Sequence, residues 1–171
     1  DGRLYALALV SGAKRWTFNT GARVTSSPAV ANGAVFFESY DGNFYAVDAA
    51  SGTLKWKFAT GGEHRFTAKH LHGIEPAAET MPDPFDFYLS SPAVWNGAVY
   101  FASGDGNVYS LDAATCALTW KYQTGAVLHA SPAIAHGMLF IGSSASRCYA
   151  PAARSGSLQT PRPTGGCHGR H

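Results

Sequence analysis

The sequence predicts an all-β protein, and within that class a β-propeller built from four-stranded antiparallel blades. The first observation is an internal repeat: residues 26–56 recur in nearly the same form as residues 90–120, with partial copies on either side. The second is that short apolar runs alternate with turn pairs such as Asn32-Gly33, as in antiparallel hairpins. The third is composition, since 19 glycines and nine prolines indicate many turns. Repeated units of this kind bury their faces by stacking on one another, as propeller blades do.

Composition and charge narrow the class of protein further. The chain has 171 residues, of which 46% are hydrophobic and 13% aromatic, so we expect a packed core rather than disorder. A net charge of +2 with 14% charged residues offers no clustered positive surface, and no nucleic-acid partner is expected. No apolar run in the sequence approaches the roughly 20 residues of a membrane-spanning helix, so no transmembrane segment is predicted.

The three cysteines, Cys116, Cys148 and Cys167, carry no recognisable chemistry. They are far apart in the sequence and form no Cys-x-x-Cys pair, so neither a zinc ribbon nor a redox motif is indicated. Cys116 stands where the first full copy has Gly52. We interpret it as divergence of the repeat rather than as a reactive thiol.

The first full copy shows how one blade is built. Asn32-Gly33 is a strong hairpin signal because both residues accept the positive φ that a type I′ turn requires. Two more glycine-containing turns follow, and the strands between the turns are predicted at 26–30, 34–38, 43–47 and 54–58. Four such strands cannot bury both faces of their sheet alone, so each blade requires neighbours on both sides.

The spacing of the repeats sets the domain boundaries. Equivalent half-repeats begin at residues 1, 41, 105 and 145, at spacings of 40, 64 and 40, so the middle interval holds 24 extra residues. In the last copy Ala145-Ser146 replaces the usual Asp-Gly, and Pro151 falls where a strand needs a ladder donor. We therefore divide the chain into a half-blade at 1–21, a blade at 22–61, an insertion loop at 62–89, a blade at 90–125, a partial blade at 126–144, and a decayed repeat or disordered tail at 145–171.

The unit Tyr-Ala-x-Asp-Ala-x-Ser/Thr-Gly-x-x-x-Trp-x-x-x-x-Gly resembles the pyrroloquinoline-quinone (PQQ) type of propeller repeat, which occurs in BamB-like and quinoprotein-type propellers. Residues 45–61 match it fully, and residues 109–125 and 5–21 match it with replacements such as Ala8 for Asp. The resemblance implies propellers of about six to eight blades, so this chain is expected to form a partial, open arc of about three to four. It also implies a bacterial periplasmic or secreted location, while the chain itself shows no signal peptide.

A tryptophan recurs at one position of the repeat, as Trp16, Trp56 and Trp120. The resemblance implies that each lies on the outermost strand of its blade and docks against the neighbouring blade. The residues alone point the same way, because one large aromatic side chain at a fixed repeat position acts as a packing wedge. We therefore interpret all three as structural docking residues. Trp95 has no counterpart in the other copies and is expected at the surface.

The insertion at 62–89 is the predicted functional site. In four-stranded blades, the connection to the next blade lies on the same face as the turn between the second and third strands. Enlarged loops on one face commonly build binding sites. The candidate contact residues for a partner or ligand are His64, His70, His72 and Glu75. Two histidines at i and i+2 in a loop are not a recognised ligand pair, so a plain polar loop is favoured over a metal site.

The acidic residues that recur in each copy are a poor basis for catalysis. Asp48 and Asp112 precede the same turn in successive copies, and side-chain hydrogen bonds to the turn backbone account for them. A catalytic role needs one unique carboxylate rather than one per blade. No catalytic residue is predicted.

Two classes of function remain open, of which we favour the first. The lack of a unique catalytic constellation favours a non-catalytic, BamB-like binding or scaffold module, with a protein partner or the remaining blades as its contacts. The alternative is a fragment of a PQQ-dependent alcohol dehydrogenase, for which the resemblance implies PQQ, calcium and an adjacent cysteine pair. No such pair occurs here, and no cofactor is evident outside that alternative. The same repeats also form sensor domains of membrane kinases, which flanking sequence alone would reveal.

Overall fold

The named elements of the structure are all β-strands. The computed structural model describes residues 2–61, 65–67, 80–82, 89–124, 128, 130–143 and 147–157. No described segment forms a helix with the length and apolar character needed to cross a membrane. The strands are β1 (Arg3–Leu7), β2 (Lys14–Asn19), β3 (Ala29–Ala31), β4 (Ala34–Ser39), β5 (Asn43–Asp48), β6 (Leu54–Ala59), β7 (Arg65–Thr67), β8 (Thr80–Pro82), β9 (Ala93–Trp95), β10 (Ala98–Ala102), β11 (Asn107–Asp112), β12 (Leu118–Gln123), β13 (Ala133–Ala135), β14 (Met138–Ser143) and β15 (Arg147–Tyr149).

Antiparallel sheets follow one another along the chain. A two-stranded sheet β1-β2 comes first, then the four-stranded sheets β3-β4-β5-β6 and β9-β10-β11-β12, then the three-stranded sheet β13-β14-β15. Strands that are adjacent in sequence are adjacent in each sheet, so every sheet is a simple meander. This arrangement confirms the predicted fold class, an open arc of propeller blades. We call these four units sheets I to IV.

The hairpin turns between the first two strands of sheets II, III and IV have the predicted conformation. Asn32-Gly33 has φ values of 49° and 70°, and Asn96-Gly97 has 51° and 78°. In sheet IV the turn is His136-Gly137, with 51° and 73°. Both central residues lie in the left-handed region, as a type I′ turn requires. His136 therefore takes the place of the asparagine without changing the turn.

The core lies between the sheets rather than within one of them. One cluster joins sheets I and II, a second joins II and III, and a third joins III and IV. In the second cluster the rings of Phe44 and Phe101 stack with centroids 3.9 Å apart and planes at 10°. Offset-stacked aromatic pairs of this kind add to the free energy gained from burial. The sheets therefore stack face to face, as blades do.

Sheet IV continues beyond residue 144, into the segment predicted as a decayed repeat or disordered tail. β15 pairs with β14, Tyr149 and Ala153 are buried, and Leu139 N–H donates to the Pro151 carbonyl at 2.9 Å. Pro151 has no N–H to donate to the ladder, but its carbonyl still accepts a hydrogen bond. The residues of sheet IV that pack on sheet III therefore keep their places. The rest of the predicted tail, residues 158–171, lies outside the described residues.

Two short strands lie within the predicted insertion loop. β7 and β8 pair antiparallel, with Phe66 opposite Met81. The sequence of this segment shows no strand pattern, because three residues are too few to display a two-residue alternation. The candidate residues His64, His70, His72 and Glu75 lie outside the described residues.

Candidate functional site

One face of the arc is organised by two aspartates in the turns between second and third strands. Asp41 Oδ2 accepts hydrogen bonds from the Tyr45 hydroxyl at 2.6 Å and from Gly21 N–H, at the end of sheet I, at 2.8 Å. Asp105 Oδ2 accepts the equivalent hydrogen bonds, from the Tyr109 hydroxyl at 2.5 Å and from Gly61 N–H at 2.8 Å. Each aspartate therefore joins its own sheet to the end of the preceding one. We call this the aspartate face.

The insertion starts and ends on the aspartate face. It begins after Gly61, whose N–H is bound by Asp105 of sheet III. It ends at buried Leu89, whose N–H donates to Thr25 Oγ1 of sheet II at 3.3 Å. Two residues later, Ser27 N–H donates to Ser91 Oγ at 3.0 Å. The insertion therefore leaves from an outer strand and returns to an inner one, on the face that the sequence predicted.

Hydrogen bonds stabilise the charged form of Asp41 on the aspartate face. Burial by itself raises the pKa of Asp41, but hydrogen bonds from Tyr45, Gly21 and Asn43 together outweigh it and the pKa is lowered. Burial raises the pKa of Tyr45, and the hydrogen bond to Asp41 and its negative charge add to this. The pKa of Tyr109 is raised for the same reasons, with Asp105 as the hydrogen-bond partner. Asp41 is therefore an ionised acceptor and both phenols are donors at neutral pH.

Glu38 is a buried acid on this side of the arc that the sequence analysis missed. It is 4% exposed, near the end of β4 that leads into the Asp41 turn, and its N–H donates to Ser26 Oγ at 2.9 Å. At the same repeat position sheets III and IV have Ala102 and Gly142. The signal that reveals it is the departure of one copy from the others at a fixed position.

The aspartates that recur in sheets II and III on the opposite face close turns, as expected from the sequence. Asp48 Oδ1 accepts from Ala50 N–H and from the N–H and hydroxyl of Ser51. Asp112 Oδ1 makes the same bonds with Ala114 and Thr115. These bonds lower the pKa of both carboxyl groups, led by those from Ser51 and Thr115.

The three repeated tryptophans each contact the following sheet. The indole N–H of Trp16 donates to the Ala49 carbonyl at 3.1 Å, that of Trp56 to Ala113 at 3.1 Å, and that of Trp120 to Ala153 at 2.9 Å. All three acceptors occupy the same position of the repeat. The tryptophans therefore lie between successive sheets.

Metal binding has no support in the described part of the chain. Over residues 2–61, 65–67, 80–82, 89–124, 128, 130–143 and 147–157, no three His, Cys, Asp or Glu side chains come together as a metal site requires. We derive no catalytic step through a metal ion.

The sheets, their turns and the repeated tryptophan contacts define the chain as part of a β-propeller with PQQ-like repeats. The family described as "Outer membrane protein assembly factor BamB" matches residues 1–81 and 86–160. The chain belongs to this family. No curated protein matches the chain in sequence.

Solved structures that share the fold include the following three. BamB from Moraxella catarrhalis superposes with a TM-score of 0.72 at 18% identity, covering 94% of this chain and 43% of that one. Quinohemoprotein alcohol dehydrogenase ADHIIG from Pseudomonas putida HK5 superposes with a TM-score of 0.61 at 21% identity, covering 82% of this chain and 20% of that one. A europium-containing methanol dehydrogenase superposes with a TM-score of 0.62 at 20% identity, covering 84% of this chain and 25% of that one. The chain therefore spans less than half the length of each of these relatives.

Proposed function

We propose that this chain is a non-catalytic binding module whose aspartate face contacts a protein partner through the insertion at 62–89. The observation that carries the proposal is the insertion itself. The connection from sheet II to sheet III is 24 residues longer than the matching connection from sheet I to sheet II. Extra chain on one face of a rigid repeat scaffold is where such proteins bind their partners.

The family supports a partner that belongs to outer-membrane protein assembly. The matching family is described as an outer membrane protein assembly factor, and that role is a proposal for this chain. The same description favours a periplasmic or secreted location in a bacterial envelope. The candidate contacts on the insertion are His64, His70, His72 and Glu75.

The test uses photo-crosslinking from two faces of the full chain in bacterial cells. A photo-crosslinking amino acid replaces His72 on the insertion, and in a matched control it replaces Ala50, in an exposed turn on the opposite face. We expect crosslinks to an outer-membrane assembly protein from position 72 and not from position 50. Equal yields from both positions would contradict a partner site on the insertion.

A graft removes the insertion without disturbing the sheets. Residues 62–89 are replaced by Ala-Arg-Val-Thr, the sequence of residues 22–25 that makes the equivalent connection. We expect the graft to fold, as judged by thermal unfolding, and to lose the crosslinked partner when the probe is placed beside it. The triple substitution His70→Ala, His72→Ala and Glu75→Ala should weaken capture in the same direction. Unchanged capture by the graft would overturn the proposal.

A quinoprotein dehydrogenase is the second candidate function, since two of the structurally similar proteins are dehydrogenases. PQQ and calcium would be its cofactors. The test is to add both to the protein and measure binding by calorimetry and reduction of an artificial electron-acceptor dye. Dye reduction that depends on PQQ would establish the dehydrogenase and overturn the non-catalytic proposal.

A further inference from the structure

A cavity of about 240 Å³ lies between sheets III and IV, on the face opposite the insertion. Its rim carries the Asn96-Gly97 hairpin turn and Asp112, which closes the turn between the third and fourth strands. Sheet IV contributes Ala153 and Arg154. Because the aspartate face holds the other set of connections, this cavity is independent of the partner site proposed above.

The cavity is where sheet III departs from the repeat. Trp95, Tyr100, Ser110 and Thr119 line it, together with Arg154. At the same repeat positions, the boundary between sheets II and III has, in the same order, Ala31, Phe36, Ala46, Lys55 and Ala114. Side chains from two sheets have thus diverged at positions that converge on one cavity. At four of the five positions the preceding boundary has alanine or phenylalanine, so the larger or polar side chains Trp95, Tyr100, Ser110 and Arg154 are particular to this cavity.

Two hydroxyl groups form the buried wall of the cavity. Tyr100 and Ser110 lie directly opposite each other on β10 and β11, and both are buried, Ser110 at 1% exposure. Ser110 Oγ is shielded from water and lies beside the Tyr100 phenol, close enough for the two side chains to interact. The two hydroxyl groups therefore give this wall of the cavity a polar surface.

Two charges of opposite sign line the same cavity without pairing. The hydrogen bonds described for Asp112 all use Oδ1. In sheet II the equivalent Oδ2, on Asp48, lies 3.7 Å from Lys55 Nζ, but Thr119 replaces that lysine in sheet III. Arg154 forms no ion pair with any residue in the described part of the chain. The cavity therefore offers a carboxylate oxygen and a guanidinium group that are separate from each other.

The geometry points to a binding site for a small zwitterion of the α-amino acid class. The ligand's ammonium group pairs with Asp112 Oδ2 and its carboxylate with the Arg154 guanidinium, which suits carboxylates by its fork of donors. Its side chain lies against Trp95, whose large ring provides apolar contact area. The volume is below the range of about 300–1,000 Å³ typical of drug-sized ligands, which matches an amino acid.

The test is calorimetric titration of the full chain with L-phenylalanine, L-phenylalaninamide and N-acetyl-L-phenylalanine. The amide lacks the carboxylate and the acetyl compound lacks the ammonium group. We expect L-phenylalanine to bind and each analogue to bind about tenfold more weakly, because each leaves one charge unpaired. Absence of binding at ligand concentrations on the order of 10 mM, or equal binding of all three compounds, would overturn the inference.

Substitution by residues from the preceding boundary keeps the fold and removes the site. Arg154→Ala introduces the alanine that sheet III has at the same repeat position, Ala114. We expect it to weaken L-phenylalanine binding about tenfold and to abolish the preference over the amide, which a purely structural role would not do. Ser110→Ala should also weaken binding. The matched control Lys55→Thr, at the boundary between sheets II and III, should leave the affinity unchanged. Retained preference over the amide in Arg154→Ala would overturn the assignment.

Discussion

At the scale of single residues, one amino-acid type serves two structural roles in each repeat. Asp41 binds Gly21 N–H of the preceding sheet, whereas Asp48 binds only groups of its own turn and the nearby Lys55. Both are aspartates beside a glycine-containing turn, so the sequence alone does not distinguish their roles. The difference arises because Asp41 faces the end of the neighbouring strand β2, a contact between residues 20 positions apart.

Asp41 is expected to make the stability of the protein depend on pH. Its pKa is lowered in the folded state, so its contribution is present above the unfolded value of about 3.9 and is lost as the pH falls through the folded value. Asp41→Asn should lower the free energy of unfolding by about 1–2 kcal/mol at pH 7, because it weakens charge-assisted hydrogen bonds. Urea unfolding at a series of pH values between about 2 and 7 measures this.

The difference between the wild type and Asp41→Asn should begin to shrink below about pH 4, where the carboxyl of the unfolded wild type becomes protonated, and should be lost below the lowered pKa of the folded state. Tyr45→Phe removes one donor to the same oxygen and should reduce the pH dependence in part. Tyr149→Phe is the control, since this hydroxyl donates to the uncharged Thr124 carbonyl. Parallel loss of stability by the wild type and Asp41→Asn below pH 4 would contradict the assignment.

At the scale of elements, the turn between the third and fourth strands is shaped by the tryptophan of the preceding sheet. Gly52 and Gly156 have φ values of 73° and 66°. A Cβ at Gly52 would lie 2.6 Å from Trp16 Cδ2, and one at Gly156 would lie 2.7 Å from Trp120 Cδ2. Two features therefore favour glycine at residues 52 and 156, the left-handed backbone and the indole ring above it.

Cys116 occupies this same turn position in sheet III and keeps its conformation. Its φ is 68°, and its Sγ lies 3.7 Å from the Lys57 carbonyl. Burial raises the pKa of its thiol, which disfavours the reactive thiolate. The interpretation of Cys116 as divergence of the repeat agrees with this placement. The turn therefore accommodates a Cβ at this position, with Cys116 and Trp56 both packed against the core cluster between sheets II and III.

Gly52→Ala should be much more destabilising than Gly12→Ala. Gly12 has the same turn position and a φ of 67°, but nothing lies within 4 Å of its added Cβ. We expect Gly12→Ala to cost about 1 kcal/mol for left-handed backbone strain. Gly52→Ala should cost about 3 kcal/mol, because the clash with Trp16 adds to the strain. Urea denaturation of both variants measures the difference, and equal costs would show that the indole moves aside freely.

At the scale of the whole molecule, the two end sheets expose apolar surface that inner sheets bury. Phe140 of sheet IV is 41% exposed, whereas Phe36 and Tyr100, at the same repeat position in sheets II and III, are 1% and 2% exposed. The difference follows from stacking, because each of those two residues is covered by the next sheet. Apolar surface of this kind promotes association.

The exposed end face should cause this chain to self-associate in solution. Phe140→Gln is expected to shift sedimentation-velocity profiles at high protein concentration toward the monomer, because it removes apolar area from the end face. Leu118→Gln is the matched control, since Leu118 is similarly exposed at 47% but lies on an outer strand. An equal shift by both variants would show that the effect is general rather than confined to the end face.

Much of the candidate site was predictable in position but not in detail. The repeat spacing located the insertion and its face, because the length of a connection and the order of strands are local properties of the sequence. The anchors at Asp105 and Thr25 were not predicted, since they join residues 44 and 64 positions apart. The cavity between sheets III and IV was missed for the same reason, although comparison of the copies at each position contains its signal.

The sequence by itself determined the strands of the intact repeats, the left-handed turns, the repeat spacing and the length of the insertion, because each depends on residues close together in the chain. The tertiary structure alone decided which copies of a repeated residue meet a neighbour. It paired Trp16 with Ala49 and Asp41 with Gly21. It also extended sheet IV past Pro151, because a carbonyl that accepts from Leu139 and buried contacts with sheet III outweigh one missing donor.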